Sequence, residues 1–409
     1  MAAQTSNADI VIAGGGHVGL TLALALKQAV PTLAVSLVDQ APPAAAGKDA
    51  RASAIAAAGR RMLRRLGVWE EIAANAEPIR EMIITDSRTR DVARPVFLTF
   101  DGKTDDGEPF AHMVENGILN AALAQAALAA GAEIIAPDSV VDFRCDSATV
   151  TATLASGRAI AARLLVAADG VRSRLRALGG IQTVAWSYRQ SGIVVTVAHD
   201  RPHKGRAEEH FLPAGPFAIL PLTGNRCSLV WTEDADLAEW IVSADPETFQ
   251  RELERRFGHR LGAIRALGPP RSFPLGLTLA RAFVKPRFAL AGDAAHGIHP
   301  IAGQGLNLGF RDVAALAETI VEGARLGLDI GSLALLERYQ RWRRFDTFEM
   351  GLVTDGLNRL FSNDYAALRL VRDVGLGIVD RLPVLKRLFI REAAGDGGEL
   401  PRLLRGEAI

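Results

Sequence analysis

The sequence predicts a mixed α/β (α+β) fold: a parallel-stranded, Rossmann-like nucleotide-binding unit interleaved with an antiparallel β-sheet domain and followed by a helical C-terminal region. Three observations predict it. A strand, a glycine turn and a helix open the chain; strand-like runs follow one another in the middle without helices between them; and from Asp312 onward the pattern is mostly helical.

The elements follow in order. Asp9 to Ala13 is a short apolar run that reads as a buried parallel strand, followed by Gly-Gly-Gly-His-Val-Gly and the helical stretch Leu20 to Gln28. A second apolar run, Leu33 to Val38, ends in Asp39 and completes a strand, helix, strand unit. Arg51 to Trp69, rich in Ala, Arg and Leu, reads as helix, as does Leu119 to Ala130, before a strand at Glu133 to Ile135. Ala159 to Ala167 reads as one apolar strand. Ile193 to Ala198, His210 to Leu212, Phe217 to Leu220 and Cys227 to Thr232 form the antiparallel block, and Phe288 to Ala291 returns to a strand, a glycine-rich loop and a helix beginning near Leu306. The expected division is a nucleotide-binding domain in three pieces, 1–85, 111–180 and 276–330, a substrate domain from 86–110 and 181–275, and a helical region at 331–409.

Composition narrows the function classes. With 47 basic against 46 acidic residues, the chain has no basic excess of the kind that marks broad nucleic-acid binding. Cys145 and Cys227 have no metal-ligand spacing and read as buried, inert thiols. The N-terminus has no basic and apolar leader pattern, and no window holds the roughly 18 apolar residues that span a bilayer. The expected location is therefore the cytoplasm, with peripheral contact at the inner face of the membrane as the alternative. That alternative rests on Ala366 to Ile390, where apolar residues alternate with Arg369, Arg372, Arg381, Lys386 and Arg387.

The chemistry-bearing signals begin at the first turn. Gly14, Gly16 and Gly19 form G-x-G-x-x-G: the first makes the tight turn, the second admits a pyrophosphate, and the third lets helix and strand pack closely. The helix that follows turns its free N–H groups and positive dipole end toward phosphate. Asp39 is placed to accept hydrogen bonds from a ribose hydroxyl pair and favours an adenosine with a free 2′-hydroxyl. This pattern alone does not separate FAD from NAD. His296 and His299 suggest a metal pair at i and i+3, but no third ligand lies nearby, and no metal is expected. No G-x-S-x-G or S-x-x-K nucleophile motif occurs, which fits a reaction whose hard chemistry belongs to a cofactor.

Two further motifs make the sequence resemble the flavoprotein monooxygenases related to p-hydroxybenzoate hydroxylase, the class A aromatic hydroxylases. Asp169-Gly170 in DGVRSRLR resembles the family's DG motif near the FAD pyrophosphate, and Gly292-Asp293 in AGDAAHGIHPIAGQGLNLGFRD resembles the motif whose aspartate binds the flavin-side ribose. The resemblance implies a glutathione-reductase-type FAD domain, with His17 and Val18 at the first turn. It places Arg51 near the pyrophosphate, Asn116 near the flavin ring, Pro300, Gly303 and Gly305 along the flavin, and Leu306 and Asn307 at its pyrimidine side. It names no certain catalytic side chain: reduced flavin and O2 give a C4a-hydroperoxide that hydroxylates an electron-rich ring. Electrons come from NAD(P)H, which has no second G-x-G-x-x-G here, or from an external reductase.

AWSYRQSGIVVTV, EEHFLPAGPFAILPLTGNRCSLVWT and REAAGDGGELPRLLRG resemble the ubiquinone-biosynthesis branch of that family, so the resemblance runs from Asp9 to about Gly406. The departures are Ala394, where the branch usually has methionine, and the acidic loop Asp101 to Glu108. The branch implies a polyprenylated phenol as substrate, with O2 and a biosynthetic complex as partners, and Phe211 and Pro221 at the substrate site. Two alternatives stay open: a hydroxylase of a small soluble phenol or benzoate, which should carry a buried cation for a carboxylate, and a flavin-binding member of a complex that does not turn over.

Overall fold

The computed structural model describes residues 5–42, 49, 51–86, 96–104, 106–300, 303–362 and 390–409. A six-stranded sheet lies at its centre, in the order Val284–Lys285, Phe288–Leu290, Leu164–Ala167, Ile10–Ala13, Val35–Val38 and Glu133–Ile135. Every neighbouring pair is parallel except the first. Ile10, Val11, Ile12, Leu164, Leu165 and Val166 are fully buried, as continuous apolar runs must be when both faces of a sheet are covered. The helix His17–Ala29 packs beside this sheet against both Asn116–Ala129 and Gln304–Arg325. A smaller sheet of Thr5–Asn7, Ala159–Ala162, Val150–Leu154 and Val140–Cys145 shares the same apolar core.

A second large sheet runs through His296–Gly297, Arg271–Ala280, Thr183–His199, Arg226–Asp234, Gly215–Leu222, Arg206–Leu212, Glu81–Asp86 and Val96–Asp101, with Ile264–Ala266 paired to the Thr183–His199 strand. It is antiparallel apart from one pair, Arg206–Leu212 with Glu81–Asp86. Glu81–Asp86 enters from the first part of the chain and is the reason for the parallel pair. One face packs Phe217, Ile219, Leu229 and Trp231 against Phe249, Leu253 and Phe257 of the helix Pro246–Phe257. The other face looks toward the nucleotide-binding unit.

Several local readings change. Residues Ala52–Ala56 form a strand, not the start of a helix, because they pair antiparallel with Ala111–Glu115; tertiary pairing overrides the helical propensity of alanine, and helix begins only at Ala57. The run Ala159 to Ala167 is two strands in two sheets, divided at Arg163, whose N–H donates to the Asp9 carbonyl at 3.0 Å. Apolar patterning cannot show where a chain changes sheets. The long helix begins at Gln304 rather than near Leu306. Cys145 is exposed, while Cys227 is buried beside His199. Among the described residues, no helix is long and apolar enough to cross a membrane. The basic, apolar stretch Ala366 to Ile390 lies outside the described residues except for Ile390 itself.

Candidate active site

Each glycine of the first turn meets a different constraint. Gly14 has φ +115°, and a Cβ there would lie 2.2 Å from the Ala168 carbonyl oxygen. A Cβ on Gly19 would lie 1.9 Å from the Gly14 carbonyl oxygen, so helix and strand close on each other at that point. At Gly16 a Cβ would meet nothing within 4 Å, because this residue opens onto a cavity. Gly16 also precedes the helix His17–Ala29 without any side-chain cap, so its first N–H groups remain available. Asp39, at the end of the neighbouring strand, accepts from the Gly15 N–H and, at 2.7 Å, from that of Ala41. Burial drives the His17 pKa down to about 4, and its Nε2 has no protein partner.

The Gly292-Asp293 turn is held from beneath. Asp312 is fully buried and accepts from the Gly292 N–H at 2.9 Å, from Arg343 Nε at 2.9 Å, and sits 2.5 Å from His296 Nε2. Burial alone would raise its carboxyl pKa; the opposing pull of His296 and Arg343 holds it below the ordinary carboxylate range. His296 is thereby committed to Asp312, while the His299 ring stands edge-on to Tyr188 at 5.4 Å. The two histidines share no site, and among the described residues no group of three or more His, Cys, Asp or Glu could hold a metal ion. Asp293 itself faces the cavity, where burial raises its carboxyl pKa against the pull of His296 and Arg51.

The long helix starts from Gly303, a left-handed residue at φ +64°, again without a side-chain cap. The Asn307 amide ties it to the strand Ala52–Ala56: its Oδ1 accepts from the Ala56 N–H at 2.9 Å and its Nδ2 donates to the Ala54 carbonyl at 3.0 Å. Arg51 forks onto Asp49 at 2.6 Å and lies over Phe273. Asn116 accepts from the Ser53 hydroxyl at 2.8 Å. Asp169 accepts from the Leu175 N–H at 3.3 Å with one oxygen, and its other oxygen is buried without a partner.

These pieces surround one cavity of about 880 Å³. Gly16, His17, Val18, Arg51, Asn116, Asp293, Pro300, Gly303, Gly305, Leu306 and Asn307 all line it. Gly14, Gly19, Asp39, Asp169 and Gly292 are not among the lining residues. The far wall is the inner face of the large sheet, including Ala207, Glu209, Ala218, Leu220, Val230 and Thr232. Phe211 and Pro221 are buried but do not line the cavity; Pro221 shares its strand face with Ile219 and Phe217, which belong to the core on the side away from the cavity. Glu209 and Thr232 went unnoticed in the sequence, although two adjacent glutamates inside an apolar strand were a usable signal.

An open glycine, two uncapped helix starts and acids at two strand ends are the donor and acceptor set that a dinucleotide requires. Residues 7–345 match the family model described as an FAD binding domain. The chain belongs to this FAD-binding family. Its members include a ubiquinone hydroxylase, UbiL, of Rhodospirillum rubrum, to which the chain is 48% identical over 404 residues, covering 98% of this chain and 93% of that one. The 3-demethoxyubiquinol 3-hydroxylase of Escherichia coli is 36% identical, covering 95% of this chain and 98% of that one. The fold is also that of the p-nitrophenol 4-monooxygenase of Pseudomonas putida, with a TM-score of 0.80 over 97% of this chain and 100% of that one, at 20% identity. This member of the family is an FAD-dependent hydroxylase with the α/β architecture expected from its sequence.

Proposed function

We propose that this flavoenzyme hydroxylates the aromatic ring of a polyprenylated phenol in ubiquinone biosynthesis, using O2 and electrons from NAD(P)H. The observation that carries the reading is the two-sided cavity, dinucleotide turns on one wall and an apolar sheet on the other, in a chain related over nearly its whole length to two named ubiquinone-pathway hydroxylases. Among the described residues no cation lines the sheet wall, which favours a phenol over the benzoate alternative.

In this reading Gly14, Gly16 and Gly19 shape the pyrophosphate turn, and His17 and Val18 begin the helix aimed at it. Asp39 receives the adenosine ribose: each of its oxygens accepts one backbone N–H and keeps a free lone pair for a hydroxyl. Arg51 and Asp169 flank the pyrophosphate. Gly292 turns the chain so that Asp293 meets the second ribose, and Asn116, Pro300, Gly303, Gly305, Leu306 and Asn307 border the ring. Bound FAD, once reduced, supplies the activation of O2 and the transfer of one oxygen atom. The protein binds and orients the two partners, and the sheet wall keeps water from the reacting ring. The FAD unit comprises 1–85, 111–180 and 276–330, the substrate unit 86–110 and 181–275, and the helical region 331–409. A prenyl tail requires an apolar exit or peripheral membrane contact, and supports a cytoplasmic enzyme working at the inner membrane face.

The test is a mass-spectrometric profile of quinones and their precursors in cells lacking this gene. Accumulation of a prenylated phenol short of a ring hydroxyl is expected, and that intermediate identifies the ring carbon. An unchanged ubiquinone pool in cells without a second copy of the activity refutes the reading.

A further inference from the structure

Two neighbouring glutamates in the strand Arg206–Leu212 have opposite environments. Glu208 points to the outer face, 3.3 Å from His210 Nε2 and paired with Arg260. Glu209 points to the inner face, where it stands in register with Ala218 on one side and Ile84 on the other. It is 5% exposed and lines the cavity. Among the described residues its carboxyl has no hydrogen-bond or ion-pair partner, and its pKa is raised to about 7 by burial alone. A buried carboxyl without a partner is expensive in a protein interior, where such groups are normally satisfied.

The surroundings explain what could satisfy it. Its neighbours on the inner face, Ala207, Ala218 and Val230, are too short to cover the carboxyl, so it opens into the cavity. Among the described residues no other ionisable side chain lines the cavity from this sheet. Thr232, which shares that wall with the polar side chains of Trp186, Ser187 and Thr278, also has a hydroxyl without a protein partner. A largely apolar wall on which, among the described residues, Glu209 is the one carboxylate suits a flat apolar ring with a hydroxyl donor. It opposes a ring carrying a carboxylate, which would set two acids together without a counter-ion.

We propose that Glu209 is the substrate-positioning residue that accepts the phenolic hydroxyl of the ring and excludes ring carboxylates. The proposal rests on the hydroxylase reading above. A phenol bound there presents its ring edge at a fixed place, so one carbon is held toward the flavin side of the cavity. Removing the acceptor loses the distinction between a phenol and the same ring without its O–H donor.

The test uses the full-length, FAD-loaded enzyme and two probes, 2-farnesylphenol and its methyl ether, titrated while the flavin absorbance is followed. The wild type is expected to bind the phenol at least about tenfold more tightly than the ether, the scale of one hydrogen bond to a buried charged acceptor. In Glu209→Leu that ratio falls to near one while FAD content is unchanged, and in the isosteric Glu209→Gln it takes an intermediate value. Glu209→Gln also gains binding of 4-hydroxybenzoate. A wild-type preference that survives both substitutions overturns the role of Glu209 and leaves the functional reading standing. A wild-type enzyme that holds FAD but does not prefer the phenol overturns both.

Discussion

Gly16→Ala separates folding from cofactor binding, because the added methyl group enters space that belongs to the ligand. The backbone at Gly16 has φ −77° and ψ −177°, which any residue adopts, and the methyl would touch no protein atom within 4 Å. Losing glycine at the helix start costs a few tenths of a kcal/mol or somewhat more, and a less flexible unfolded chain returns a similar amount. The apoprotein should therefore keep its stability to within about 0.5 kcal/mol. FAD must accommodate a methyl in a close-packed contact, for which overpacking penalties of about 1–3 kcal/mol are typical, or roughly 5- to 150-fold in Kd. Gly19→Ala is the contrasting variant: its methyl would stand 1.9 Å from a backbone oxygen, so the fold itself must shift. Thermal unfolding of the apoproteins and fluorescence titration with FAD measure the two effects. Wild-type FAD affinity in Gly16→Ala, or an apoprotein weakened as much as Gly19→Ala, would refute the assignment of this turn.

Asp293→Ala is expected to lose FAD by removing the acid that faces the cavity, whereas Cys145→Ala, at an exposed thiol, leaves FAD content unchanged; stoichiometric FAD in the first variant contradicts the site. Asp312→Asn removes the charge shared by His296 and Arg343 and leaves the buried guanidinium with Asp346 as its remaining carboxylate, a loss of about 1.5–3 kcal/mol for a hydrogen bond to a charged group, read as a lower apparent Tm. Because the Asp312 pKa is depressed in the folded state, its stabilising contribution is present above the ordinary carboxylate pKa and is lost as pH falls through the folded value. The apparent Tm of Asp312→Asn should accordingly fall less steeply than that of wild type below about pH 4; parallel acid limbs in the two proteins would show that Asp312 does not carry this dependence.

The nucleotide-binding unit was legible because its constraints are local. Gly14, Gly16 and Gly19 fall in one short turn whose spacing is readable in the sequence, Gly19 closing on the Gly14 carbonyl within that turn, and the buried strands announce themselves as unbroken apolar runs. What escaped depends on partners distant in sequence. Ala52–Ala56 is helical by composition and becomes a strand only because Ala111–Glu115 lies beside it. Pro221 resembles a substrate residue in the sequence, yet strand register pairs it with Cys227 on the face away from the cavity, and that register is set by the neighbouring strands. The support beneath Asp293 was hidden for the same reason: Asp312 and Arg343 sit on two different helices and meet only in the packed core.

The strand order of the central sheet also dictates when the enzyme can come into being. Leu164–Ala167 sits between Ile10–Ala13, made at the start of synthesis, and Phe288–Leu290, made long afterwards. Such distant pairings delay folding, and an unpaired apolar strand is a hazard while it waits. The nascent chain must therefore shelter one edge of its principal sheet until Phe288–Leu290 emerges. It has no complete cradle for a cofactor before Asp293 has left the ribosome, so cofactor loading is a late event in the maturation of this protein.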